Sequence, residues 1–121
     1  MNENRERRTH TRYSAHHLRV LIKPYGAGPD DWGKGEISSV DFNRYGIGLE
    51  TTHHFSVGDI VMMIIRTDDA SISEIPGIIC NRSYSRDGFR FGIRFEYDES
   101  EQGNTLSEQL MMIEQKSSTL H

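Results

Sequence analysis

Hydrophobic and polar residues alternate with a period of two through most of this chain. Leu18, Val20 and Ile22 alternate with Arg19, Leu21 and Lys23, which predicts a strand. Residues 24–35 (PYGAGPDDWGKG) are rich in Gly, Pro and Asp and read as a loop. A short strand is expected over 36–40, a turn over 41–46 and a third strand over 47–52. Val57-Gly58-Asp59 marks another turn. Residues 60–66 (IVMMIIR) are apolar on both faces, which predicts a strand covered on two sides. The polar stretch 67–74 reads as a loop and 75–83 as a further strand, with Pro76 near its start, where a missing N–H is tolerated.

Ser85-Arg86-Asp87-Gly88 contains Asp-Gly, the strongest short hairpin signal. Phe89, Phe91, Ile93 and Phe95 then alternate with Arg90, Gly92, Arg94 and Glu96. This is the cleanest strand pattern in the chain, with aromatics inward and charge outward. After Tyr97 the period changes. Thr105-Leu-Ser-Glu108 has the form of a capping box. Leu106, Leu110 and Ile113 follow at helical spacing. Six strands followed by one helix predict an all-β fold, a small six-stranded antiparallel β-barrel whose C-terminal α-helix covers an opening or edge. No internal repeat is present.

Length and composition are consistent with that picture. The chain has 121 residues, 35% hydrophobic and 26% charged, as expected of one soluble domain with a modest core. The expected organisation is a flexible basic arm over 1–12, the barrel with its helix over 13–116, and a disordered tail over 117–121. No apolar run approaches the length of a membrane helix, and the polar, basic start is unlike a signal peptide. A single cysteine, Cys80, excludes a disulfide framework and a Cys-based zinc site. Cytoplasm is the simplest compartment.

Charge adds the first functional hint. The chain carries −4 overall, yet residues 5–12 hold four Arg and one Glu, a local +3, which leaves −7 for the remainder. Net negative charge argues against wrapping nucleic acid without sequence preference. The arm Arg5-Glu-Arg-Arg-Thr-His-Thr-Arg12 offers planar guanidinium forks. They fit phosphate oxygens in pairs, match the O6/N7 edge of guanine, and stack on a base. The bland alternative is a frayed, solubilising tail.

Asp41-Phe-Asn-Arg-Tyr-Gly46 is the second constellation. Asp41 and Asn43, two apart in an extended stretch, share a face. A carboxylate accepts from guanine N1–H and N2–H₂, Asn43 adds a polar contact, and Gly46 permits a left-handed bend or a close backbone approach. Asx residues and Gly are also ordinary turn chemistry.

Arg8-Thr-His-Thr-Arg12 (RxxxR) before the first strand, Asp41-x-Asn43-x-x-Gly46 between the next two, and Gly92-Ile-Arg-Phe95 at the close form a pattern that resembles the PilZ domain family. The likeness covers residues 5–115. It implies the barrel with a C-terminal helix and a bacterial receptor for cyclic di-GMP. The arm would fold over the ligand as a switch, and an unidentified effector protein would receive the signal. Arg8 and Arg12 would meet phosphate and guanine, Asp41 and Asn43 would hold a guanine edge, and Gly46 would shape the turn. Arg7, just before RxxxR, is implied to favour a stacked pair of ligands. Asn43 departs from the family's usual Ser; it retains hydrogen-bonding capacity but is bulkier. Apart from the ligand, no cofactor is implied, nor any nucleic-acid polymer or membrane partner.

Other readings stay beside it: a PilZ-like interaction domain without nucleotide binding, or a small barrel that binds single-stranded nucleic acid through aromatics on an exposed sheet face. Enzyme motifs are lacking: no nucleophile elbow, P-loop or HExxH. The pairs His16-His17 and His53-His54 point to opposite faces of extended chain, so neither chelates a metal easily. Arg44 and Arg82 could approach the ligand, but no spacing decides it; Arg90 and Arg94 share a face that either extends the basic surface or, as the simpler reading, is a solvated strand face. Met62-Met63 and Met111-Met112 read as packing residues. Cys80 reads as a buried thiol. Trp32 would cap the barrel or meet a partner.

Overall fold

Alternation along the strands builds a core on the concave side of one curled sheet. A computed structural model describes residues 11–28, 37–86 and 88–118. The strands are β1 (Tyr13–Ser14), β2 (Arg19–Pro24), β3 (Ile37–Asn43), β4 (Gly46–Thr51), β5 (Ile60–Arg66), β6 (Ser71–Tyr84) and β7 (Phe89–Phe95), followed by α1 (Glu101–Ser118). All pairings are antiparallel, in the order β1-β3-β4-β7-β6-β5-β2. The sheet therefore has seven strands rather than six, the extra one being the two-residue β1, too short to leave a periodic signal. It curls into a half-barrel in which Ser39 Oγ, on β3, donates to the Leu18 carbonyl beside β2 at 3.1 Å.

The interior is apolar. Val20, Ile22, Phe42, Ile47, Leu49, Val61, Met63, Ile65, Ile75, Ile79, Phe91, Ile93 and Phe95 are buried. Each large aliphatic or aromatic side chain removed from water contributes about 1.5–3 kcal/mol, so this set supplies the driving force for curling. Phe89 is only half-buried at the barrel rim, edge-on to His54. Met112 is exposed on the helix.

Three bulges interrupt the alternation. In β3 the register shifts between Ser39 and Asp41. In β6 it shifts between Ile79 and Asn81. The third shift lies where Met63 and Ile65 pair with Ile75 and Ile72. There Glu74 takes a left-handed φ of 59°, and Ile72 and Ile75, three apart, are both buried. That irregularity breaks the alternation over 71–74, a segment expected as loop that is strand. A bulge inserts one residue and re-aims the side chains beyond it.

The helix starts one turn earlier than the Thr105 capping box predicts. Ser100 caps it, its Oγ accepting from Gly103 N–H at 3.1 Å, while Thr105 Oγ1 donates inside the helix to the Glu101 carbonyl. Asp98 lies against buried Gly103, where a Cβ would collide with the Asp98 backbone. Leu110 and Ile113 are buried, with Leu106 packed against the core. Ser117 is buried too, its hydroxyl 3.1 Å from His17 Nε2, and the helix runs on to Ser118. Among the described residues no helix is long and apolar enough to cross a membrane.

Candidate functional site

The convex face of β3, β4 and β7 carries a cavity of about 380 Å³. Its walls include Arg12, Asp41, Asn43, Tyr45, Asn81, Arg90 and Arg94, and its floor includes Gly46, Gly48 and Gly92. The register explains this assembly. Asp41 pairs with Gly48, Gly48 with Gly92, and Gly92 with Asn81. One row across four strands thus reads acid, glycine, glycine, amide. A Cβ on Gly48 would stand 2.5 Å from Asp41 Oδ1, and one on Gly92 2.5 Å from Asn81 Nδ2. The two polar side chains therefore lie inward over a floor without side chains of its own.

Asp41 reaches this face because of the β3 bulge. Ser39 pairs with buried Leu49 and is itself buried. Strict alternation would send Asp41 inward after it. The extra residue, Val40, resets the phase, so Phe42 fills the core and Asp41 points out. The bulge between Ile79 and Asn81 likewise resets the phase of β6, so that Asn81 stands opposite Gly92, and Cys80 and Asn81 both line the cavity. Cys80 is half-buried, not the fully buried thiol its apolar strand suggests.

Arg12 Nη2 donates to Asp41 Oδ1 at 2.8 Å, and Arg90 Nη2 stands 3.9 Å from Asp41 Oδ2. Asn43 is buried and serves the backbone: its Oδ1 accepts from Tyr45 N–H at 2.9 Å and Gly46 N–H at 3.1 Å. Its Nδ2 donates to the Thr11 carbonyl at 3.4 Å, tying the end of the arm to the β3–β4 turn. Gly46 is needed for close approach, since a Cβ would stand 2.4 Å from the Ile93 carbonyl oxygen; it is not among the left-handed glycines, Gly26 and Gly58.

Of the residues singled out from sequence, the structure gathers Arg12, Asp41, Asn43 and Gly46 around one cavity. Arg7, Arg8 and Trp32 lie outside the described residues. Arg44 turns to the helix, where Glu114 takes its backbone N–H at 2.6 Å and its Nη2 at 2.9 Å. Hydrogen bonds donated to Glu114, and the Glu114 charge, hold the Arg44 pKa above the ordinary value against the opposing effect of burial. Arg82 donates to the Phe55 carbonyl and lies over the Phe89 ring. Neither lines the cavity. Sequence reasoning left out Tyr45, Gly48 and Asn81 and preferred a solvated strand face for Arg90 over an extension of the basic surface. Only the Gly48/Gly92 pairing could have flagged them, and it requires the strand register. No group of three His, Cys, Asp or Glu side chains among the described residues is placed to hold a metal.

In chemical terms the cavity offers guanidinium donors, a carboxylate acceptor and an exposed tyrosine ring beside a flat floor. That set suits a planar, hydrogen-bonding anion. A family model described as PilZ domain matches residues 6–112. None of the curated proteins compared matches the chain.

Proposed function

The chain belongs to the PilZ domain family, whose members are receptor domains for cyclic di-GMP rather than enzymes, and from that premise we propose that its glycine-floored cavity is a cyclic-di-GMP site. The observation that carries the proposal is the Arg12–Asp41 pair at the cavity wall. It sets a phosphate-type donor beside an acceptor suited to guanine N1–H and N2–H₂. In this reading Arg12, with Arg7 and Arg8 of the arm, contacts phosphate and guanine. Asp41 holds a guanine edge, Asn43 fixes the turn and the hinge of the arm, and Gly46 lets β4 approach β7. The ligand is the only small molecule required; no cofactor takes part.

The mechanism follows from charge and entropy. The ligand carries two negative charges and the segment 5–12 a local +3. Closing the arm over the ligand offsets the cost of ordering it, and the ordered arm presents a new surface to an effector protein. Asn43 is the pivot, because its amide holds Thr11 while its carbonyl oxygen holds the turn. Isothermal titration of the chain with cyclic di-GMP tests this directly. Saturable binding at micromolar concentration or tighter is expected; a flat titration with a normally folded protein would favour an interaction domain that has lost its ligand.

A further inference from the structure

We infer that Arg90, on β7, is a specificity-determining residue of this cavity, reading the O6/N7 edge of guanine while Asp41 takes the neighbouring N1–H and N2–H₂ donors. The inference rests on the cyclic-di-GMP reading above and adds to it a residue outside both sequence motifs.

The placement of Arg90 is the starting point. Its Cα partner on β4 is Glu50, the carboxylate that simple cross-strand pairing would give it. Yet Arg90 Nη2 lies toward Asp41, one strand further away, at 3.9 Å. The side chain can lie that way because Gly48 and Gly92, next along the same face, raise no side chains between β3 and β7. At 3.9 Å the guanidinium is beyond hydrogen-bond length. Arg12 already occupies Asp41 Oδ1 at 2.8 Å. Arg90 is thus held beside the carboxylate by charge without being spent on it, and about half of its side chain is exposed, at 47%.

A carboxylate and a guanidinium side by side form an acceptor–donor pair. Guanine offers the complement: O6 and N7 accept, and N1–H and N2–H₂ next to O6 donate. Adenine reverses it at two positions. It carries an N6 amine where guanine has O6, and a bare N1 where guanine has N1–H. An amine would face the Arg90 donors and a lone pair would face the Asp41 carboxylate. Both contacts are repulsive, so the pair selects guanine by rejection as well as by attraction. The phosphate contacts of the arm do not impose this choice, because they are blind to the base.

The test is a competition titration on the whole chain. Fluorescently labelled cyclic di-GMP is displaced by unlabelled cyclic di-GMP or cyclic di-AMP, for wild type, Arg90→Ala and Arg12→Ala, with a thermal melt of each variant. Arg90→Ala is expected to weaken cyclic di-GMP binding about 10- to 100-fold, the discrimination of one bidentate base contact. It should leave cyclic di-AMP displacement nearly unchanged, so that the guanine preference shrinks by a similar factor. Equal weakening toward both dinucleotides would make Arg90 a phosphate counter-ion and overturn the inference. So would an unchanged preference. If Arg12→Ala loses binding while Arg90→Ala keeps the full preference, the receptor reading stands and this inference alone falls. If wild type binds neither dinucleotide, both fall together.

Discussion

Two arginines flank the β3–β4 turn, and each has a carboxylate, but they are built for opposite purposes. Arg44 meets Glu114 through Nε, Nη2 and its own backbone N–H, and the Glu114 side chain is only 15% exposed. Arg12 meets Asp41 through one nitrogen and one oxygen, with the side chains 40% and 31% exposed. The first pair locks helix α1 to the turn. The second leaves donors and an acceptor lone pair free for exchange. Exposed single-contact ion pairs contribute little to stability, so breaking the Arg12–Asp41 contact for a ligand costs the fold almost nothing. Multiplicity of contacts and burial, rather than residue type, separate a structural pair from one available for exchange.

That contrast can be broken from either side. The largest effect is expected for Arg12→Ala. Losing a charged partner at the proposed site should weaken cyclic di-GMP binding about 100-fold or more, seen by titration, while the melting temperature stays near wild type. A fall in melting temperature instead of affinity would erase the distinction. Next comes Glu114→Ala, which removes the acceptor of a backbone N–H and of a guanidinium. Urea unfolding should show a loss of about 1–3 kcal/mol with ligand affinity retained. Gly48→Ala sharpens the picture further. The added methyl presses on Asp41 Oδ1, so affinity should fall about three- to tenfold by titration while the fold persists, because the displaced group is a flexible side-chain end.

The smallest effect concerns acid. Hydrogen bonds from Lys116 and then Thr67, with the Lys116 charge, hold the Asp69 carboxyl below its ordinary value of 3.8. Ser100, through its hydroxyl and then its backbone N–H, does the same for Asp98. A depressed folded pKa gives a stabilising contribution that is complete above the unfolded value and lost as pH falls through the folded one. Thermal melts should therefore decline below about pH 4, and Asp69→Asn should flatten that decline slightly. Both aspartates are exposed, so near neutral pH the substitution should shift the melt by little more than its measurement error.

The strands whose alternation is intact were legible in the sequence. Phe91, Ile93 and Phe95 line the core as their spacing predicts. β5, apolar on both faces by sequence, showed no inward set in advance; the structure buries Val61, Met63 and Ile65 and leaves Ile60 exposed. The departures from period two were hidden. Nothing in Ser-Val-Asp announces that Val40 is an extra residue, since a bulge is stabilised by its partner strand. The helix start was missed because Ser100-x-x-Gly103 lacks the acidic residue of a capping box. The two motifs brought attention to Arg12, Asp41, Asn43 and Gly46, all of which line the cavity. Arg44 and Arg90 could not be sorted by spacing, because their directions depend on Glu114, seventy residues on, and on two glycines in register.

The bulge at Val40 also bears on how such a domain could change by inheritance. Removing that one codon would set Asp41 next to Ser39 and restore unbroken pairing between β3 and β4, with Asp41 still opposite Gly48 on the cavity face. A slip that kept Val40 but paired it with Gly48 would instead bring Asp41 opposite Ile47 and turn it toward the interior. Both motifs would still be spelled out in the gene, and a search by pattern would still find them. The cavity would nevertheless have lost its acid, so a one-residue slip of a strand is enough to part a legible signature from a working pocket.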